Sequence, residues 1–202
     1  APGSTMKPII GAIGLETNSF TASEDFGKSN LKWQKDSSWG DFYITTLATY
    51  SGAANLRNAL IYSDNIYFAK AAMKIGSEKL KTSLKSIGFG EEIKFAQTMN
   101  KSSFSNSENF VNETQLANSG YGQGEVLVNP IHMAMIYSSF VNEGNMIMPY
   151  LEYKENPSSA TAQYYKEAVF SKEAANTIKD DLIEVVENPN GTAHSVKIEG
   201  KT

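Results

Sequence analysis

The chain has 202 residues, 41% of them apolar, and carries 18 Lys and Arg against 22 Asp and Glu for a formal net charge of −4. That length is enough for one domain that buries roughly 70% of the surface its unfolded form exposes, and the slight acidity supplies no basic field to draw nucleic acid. With no cysteine, a disulfide framework, a thiolate nucleophile and a cysteine-ligated zinc are all excluded, which suits a cytosolic chain or a Gram-positive extracytoplasmic one equally. Polar residues interrupt every apolar stretch before the ~18 positions of a membrane span, and no charged segment followed by an apolar run opens the chain. Any membrane anchor of the parent protein is therefore expected upstream of Ala1.

In chain order, periodicity predicts a mainly helical protein. Residues 5–15 are apolar with small residues, entered through Pro2-Gly3-Ser4, and Pro8 is tolerable in a first turn that has no internal N–H partners. Trp33 and Trp39 flank a polar turn before Phe42-Tyr43-Ile44-Thr45, which predicts a small β hairpin. A short helix over residues 56–60 follows Asn55 as cap, and another over 66–75 is closed by Gly76. Ser77 is expected to cap a segment running through Leu80, Leu84 and Ile87 to Gly88. Residues 100–112 form a polar loop, and Pro130 opens a helix that runs through Phe140 and stops near Gly144. Residues 146–153 alternate weakly, residues 171–186 make the last long helix, and residues 194–200 alternate as the opening of a terminal strand. No internal repeat is present.

Three polar signatures punctuate this frame: Ser4-Thr5-Met6-Lys7, Ser63-Asp64-Asn65 and Lys201-Thr202. A serine hydroxyl attacks only when a base takes its proton, and a lysine is such a base only when neutral. Spacing of three on a helix places both side chains on one face, Cβ atoms ~5–6 Å apart. Burial, the positive end of the helix dipole and a nearby cation such as Lys201 all disfavour the ammonium form. A second S-x-x-K, Ser29 with Lys32, has no apolar helix behind it and reads as a polar surface pair. Taken alone, Ser63-Asp64-Asn65 is an N-cap; read chemically, Ser63 relays a proton and Asn65 donates to a substrate amide across the same cleft. His132 falls beside Met133 and Met135 and reads as core or surface, His194 as a loop residue, and Asp180, Asp181 and Glu184 as a solvated helix face. Trp33 and Trp39 read as packing of the small hairpin ahead of the alternative, a groove lining for a substrate or partner, and the turn from Tyr121 to Gly124 either borders the cleft or tightens a loop.

Taken in this order, the three signatures resemble those of the transpeptidase domain of class B penicillin-binding proteins, most of all the low-affinity, methicillin-resistance-type branch of Gram-positive bacteria. Ala1-Pro2-Gly3-Ser4-Thr5-Met6-Lys7-Pro8 resembles that family's nucleophile motif, Ser63-Asp64-Asn65 its second motif, and Lys201-Thr202 the start of its Lys-Thr/Ser-Gly motif. Trp33-Gln34-Lys35-Asp36, Trp39-Gly40, Ser119-Gly120-Tyr121-Gly122-Gln123-Gly124-Glu125, Asn129-Pro130 and Gly191-Thr192-Ala193 match as well, so the resemblance spans residues 1–202 as part of one transpeptidase domain.

The resemblance implies the helical portion of the α/β fold shared by β-lactamases and transpeptidases, with most of the central sheet outside the chain. It implies a D,D-transpeptidase that cross-links peptidoglycan stem peptides through an acyl-enzyme on Ser4 and is acylated by β-lactams. Lys7 is then the general base, Ser63 the proton relay, Asn65 the holder of the substrate amide and of Lys7, and Lys201 with Thr202 the carboxylate site. Neither metal nor organic cofactor is implied, nor any nucleic-acid partner, and the protein is placed outside the cytoplasmic membrane on an anchor that precedes Ala1. The family's second oxyanion donor falls two residues past Thr202, so residues 1–202 by themselves are expected to be inactive. Two alternatives stay open. One is a catalytically idle helical module that keeps the motifs as caps; the other is a serine β-lactamase-like hydrolase. The latter is disfavoured because Glu113, the nearest water-activating candidate, has the wrong spacing, as has the long interval from Ser63 to Lys201.

Overall fold

A computed structural model describes residues 1–27, 30–94, 99–150 and 163–200. It is built around α1 (Lys7–Glu16), which is buried from Lys7 through Gly14. Its sequence KPIIGAIGLE is apolar on every side, the pattern of a helix surrounded by protein. α2 (Leu56–Ile61), α3 (Asn65–Ile75) and α7 (Lys172–Glu187) pack directly on α1. Small residues make that approach possible: a Cβ on Gly11 would lie 2.9 Å from Leu56 Cδ1 of α2 and 3.0 Å from Ile178 Cδ1 of α7, and one on Gly14 would lie 2.0 Å from the Phe20 ring, so only glycine lets the aromatic cluster close over that face. In that cluster Phe26 stacks on Tyr67 with centroids 4.5 Å apart, and Phe20 meets both rings edge-on.

α4 (Ser77–Ser86), α5 (Glu113–Ser119) and α6 (Pro130–Val141) complete the helical body. Two small antiparallel sheets are appended. β1 (Lys32–Trp33) pairs with β2 (Ile44–Thr45), matching Trp33 to Ile44, and β3 (Met146–Ile147) pairs with β4 (Tyr164–Lys166). Trp39, Ile44, Ile66, Ala69 and Ala117 form a second, smaller core that joins the first sheet to α3 and α5. Among the described residues no helix is long and apolar enough to cross a membrane.

The mainly α reading therefore holds, as do the cap at Asn55, the last long helix behind Ser171, the hairpin built on the tryptophans and the proline start of α6. Three local expectations are corrected. Ser77 is the first residue of α4 and makes no capping bond; the chain turns at Gly76 instead. The segment from His194 to Val196, expected to open a strand, is one 3-10 turn, packed against the end of α7 by the His194 N–H to the Gly191 carbonyl and by His194 Nδ1 on the Val186 carbonyl. α5 went unforeseen because seven residues carry too little periodicity, although Asn112 and Gln115 mark its start: Asn112 accepts the Gln115 N–H, and Gln115 reaches back to the Val111 N–H. His132 is buried, its Nε2–H held by the Ile87 carbonyl and its Nδ1 by the Ser102 hydroxyl, and burial lowers its pKa.

Asp181 is the third correction. Expected on a solvated face, it is only 6% exposed, and its Oδ2 has no protein partner. Burial raises its pKa to about 6 against the pull of Arg57, which pairs with Glu184 one turn further along α7. A folded-state pKa above the unfolded value means that this contribution to stability is complete below about pH 4 and is lost as pH rises through about 6, by at most ~3 kcal/mol. Asp181→Asn is thus expected to be more stable than the parent near neutral pH and to lose that advantage below about pH 4. Urea melts at the two pH values measure this, and an advantage independent of pH would refute it.

Candidate active site

The Ser4 hydroxyl is held by a 3-10 turn, Gly3–Met6, that runs directly into α1. This departs from the expected single α-helix and improves the geometry. In a 3-10 turn residues i and i+3 eclipse, so Lys7 lies directly over Ser4, with Nζ 3.1 Å from Oγ. The turn is fastened at both sides of the serine. Gly3 donates its N–H to the Gly122 carbonyl at 3.0 Å, and Tyr137 donates its hydroxyl to the Thr5 carbonyl at 2.8 Å. Gly122 has φ 72, and a Cβ there would sit 2.1 Å from the Gly3 carbonyl oxygen, so the loop reaches this turn only as glycine.

Ser63 enters from the junction of α2 and α3. Lys7 Nζ lies 2.7 Å from both its carbonyl oxygen and its hydroxyl, and that hydroxyl lies 3.0 Å from Ser4 Oγ. The three polar atoms Ser4 Oγ, Lys7 Nζ and Ser63 Oγ therefore close a triangle, each within hydrogen-bond reach of the other two. The Ser63 carbonyl can only accept, so it fixes one N–H of the amine in either protonation state. In the neutral amine the remaining N–H and the lone pair are then left to the two hydroxyls. That arrangement can take a proton from one serine and pass another toward the second.

Lys7 is 1% exposed. Desolvation lowers its pKa to about 8, opposed by the carboxylate of Asp64, and the N-terminal end of α1 adds its positive dipole on the side of the neutral form. Asp64 is itself buried and caps α3: its Oδ1 accepts the N–H groups of Ile66 and Tyr67, and its Oδ2 accepts the Tyr50 hydroxyl at 2.9 Å.

Of the residues singled out in the sequence, the structure thus brings Ser4, Lys7 and Ser63 together. Asn65, expected to help hold Lys7, instead donates to the Thr45 carbonyl at 2.8 Å and ties α3 to β2; the Ser63 carbonyl and hydroxyl do the holding. Lys201 and Thr202 lie outside the described residues, as does Ser29 of the second S-x-x-K pair. Glu113 is committed elsewhere, paired with Lys35 and accepting the Trp39 indole N–H. Trp33 and Trp39 meet edge-on at 5.5 Å as packing of the first sheet. Two contributors went unseen in the sequence, the Tyr137 hydroxyl and the Ser63 main chain; the only sequence signal for either was Pro8, which withholds an N–H from the turn. Among the described residues no group of three or more His, Cys, Asp and Glu side chains is placed to hold a metal ion.

The chain matches the family model described as the penicillin binding protein transpeptidase domain over residues 1–202 and belongs to that family. It is 39% identical, along its whole length, to penicillin-binding protein 3 of Bacillus subtilis strain 168, of which it covers 30%. It is 25% identical to a peptidoglycan D,D-transpeptidase FtsI homolog of Mesostigma viride, of which it covers 38%. The chain therefore spans about a third of the length of these curated relatives. In fold it is similar to the transpeptidase domain of Burkholderia pseudomallei penicillin-binding protein 3, with a TM-score of 0.81 over 98% of this chain and 57% of that one at 23% identity. A D,D-transpeptidase domain of a peptidoglycan glycosyltransferase from Eggerthella lenta gives 0.80 over 99% and 51% at 25% identity.

Ser63 has φ 51, in the left-handed region that a side chain rarely adopts. That conformation aims its carbonyl and its hydroxyl at the same amine and carries a backbone cost of about 1 kcal/mol. Ser63→Ala keeps this cost and loses the hydroxyl, whereas Ser63→Gly loses the hydroxyl and relieves the cost. The glycine variant is expected to be the more stable of the two by about 1 kcal/mol in urea unfolding. Equal stabilities would show that the turn is unstrained.

Proposed function

We propose that this chain supplies the nucleophile and base of a serine D,D-transpeptidase that cross-links peptidoglycan stem peptides. The observation that carries the reading is the triangle of Ser4, Lys7 and Ser63, with the Lys7 amine buried and its pKa drawn down to about 8. Ser4 Oγ attacks the carbonyl of the penultimate D-Ala while neutral Lys7 takes its proton. The tetrahedral intermediate collapses to an ester on Ser4 and expels D-Ala, whose amine receives a proton through Ser63. An amine from a second stem peptide then attacks the ester and regenerates the Ser4 hydroxyl. A β-lactam enters by the same first step, its ring amide replacing the peptide bond.

Asn65, with its amide nitrogen on the Thr45 carbonyl, retains its side-chain oxygen to receive a substrate N–H from the cleft edge. Lys201 and Thr202 are proposed, from the sequence motif alone, as the binding site for the substrate's terminal carboxylate. Kinship with the low-affinity branch is proposed from the three motifs and the matching stretches between them, such as Trp33-Gln34-Lys35-Asp36 and Ser119 to Glu125, and carries the expectation of slow β-lactam acylation. An extracytoplasmic, membrane-anchored parent protein follows from the same reading, since cross-linking takes place outside the cytoplasmic membrane.

In the full-length protein that carries this chain, a fluorescent penicillin is expected to label the wild type covalently and to leave Ser4→Ala unlabelled. Only the neutral amine accepts a proton, so the labelling rate is expected to climb about tenfold per pH unit on the acid side and to level off above about pH 8. Equal labelling of both proteins would end the acyl-enzyme reading; a flat pH profile would remove Lys7 as its base.

A further inference from the structure

The turn that carries Ser4 contains a donor vacancy written into the sequence. In a 3-10 turn each carbonyl is served by the N–H three residues on. The Ser4 carbonyl receives the Lys7 N–H in this way. The Thr5 carbonyl would receive the N–H of residue 8, but residue 8 is proline and has none. The Tyr137 hydroxyl, reaching across from α6, stands 2.8 Å from that carbonyl. Its ring is seated edge-on against Phe140, at 5.4 Å between centroids, in the main core, so the hydroxyl is delivered by a fixed side chain rather than a mobile one.

We propose that Tyr137 is a positioning residue for the acylation step: by replacing the N–H that Pro8 lacks, it holds the turn at the 3-10 pitch that eclipses Ser4 over Lys7. The inference rests on the acyl-transfer reading given above and adds to it a residue from a helix that carries none of the three signatures. An α-helical pitch would instead rotate residue i+3 by about 60° away from residue i. Ser4 would then leave the amine while the rest of the fold stayed in place. The Gly3 N–H bond to Gly122 fastens only the entry of the turn, and the Thr5 hydroxyl bond to the Pro2 carbonyl is internal to it. Tyr137 is the anchor on the exit side, between nucleophile and base. Burial raises the pKa of its phenol, so the group remains a donor across the whole range in which Lys7 titrates.

The test compares wild type, Tyr137→Phe, Pro8→Ala and the double variant in the full-length protein. Non-covalent penicillin binding, the acylation rate constant and the melting temperature are measured for each, and the titration of Lys7 is followed by NMR of its side chain. Tyr137→Phe is expected to lower the acylation rate constant about 10- to 100-fold, the loss typical of an ångström-scale misplacement. Non-covalent affinity should stay within about twofold, and the Lys7 midpoint should rise from about 8 toward its ordinary value as water enters. In the Pro8→Ala background, where residue 8 regains an N–H, the same Tyr137→Phe change is expected to cost less than about threefold. An acylation rate within twofold of wild type, or an unmoved Lys7 midpoint, would overturn the proposal. If wild type itself is not acylated, the acyl-transfer reading fails, while the Lys7 midpoint in Tyr137→Phe still decides whether Tyr137 sets the turn.

Discussion

The site depends on the removal of one amine from water. A lysine at 1% exposure would be a heavy burden on the fold if it stayed charged and unpaired, and the structure resolves this by lowering its proton affinity and by giving every remaining N–H an acceptor. Desolvation is the larger force, and Asp64 sets its limit. A bare carboxylate next to the amine would hold the proton in place. Asp64, its oxygens occupied by two backbone N–H groups and a phenol, opposes desolvation without reversing it, and the pKa comes to about 8. At neutral pH roughly a tenth of such amines are free. That balance between availability and basicity is what the proposed general-base role asks for.

Under the proposed acyl transfer, keeping the amine dry imposes a second requirement, because the hydroxyls bonded to it must stay open to a substrate. Ser4 is exposed and Lys7 buried within one turn of each other. The 3-10 pitch achieves this, placing the serine on the rim of the structure and the lysine beneath it. Each neighbour that defends the pitch works at close range: Gly122 by approaching where no side chain fits, Tyr137 by supplying a donor, and α2, α3 and α7 by closing around α1. Ser63 then completes the arrangement from a strained backbone position. Strain of this kind persists where the surroundings over-determine a conformation, and here two bonds to one amine are the determinants.

The helices were legible in the sequence wherever a cap or a terminator stood beside a periodic run. Asn55 before α2, Pro130 at the head of α6 and Ser171 before α7 each act as their chemistry suggests. Legibility failed where one residue could serve two structures. Residues 194–200 alternate as a strand does, yet the chain has only just left α7 at His194 and the hydrogen bonds of Gly191 and Ala193 turn it back. Asp181 looked solvated because its neighbours on α7 are charged, and periodicity alone does not say that the apolar stripe of Ala174, Ile178 and Leu182 carries Asp181 inward with it. The pairing of Ser4 with Lys7 was visible from spacing. Its pitch was not, since S-x-x-K suits an α-helix as well as a 3-10 turn, and the distinction rests on a phenol more than a hundred residues away in the chain.

The second signature shows why a capping reading and a catalytic reading of the same three residues need not compete. Asp64 is a helix cap in the plain sense, and Asn65 ties the capped helix to β2. Neither bond faces Lys7. Yet if Asp64 did not hold the first N–H groups of α3, the helix start would fray, and the left-handed turn at Ser63 immediately before it would have nothing to enforce it. Ser63 would then relax to an ordinary conformation and withdraw either its carbonyl or its hydroxyl from the amine. The cap is thus the support of the turn whose carbonyl and hydroxyl hold Lys7. Within the trio Ser63 bonds the amine, Asp64 holds the helix start, and Asn65 is tied to β2 through its nitrogen while its oxygen is left for the proposed substrate contact; a residue that presents both backbone and side chain to one atom needs its successors locked in place.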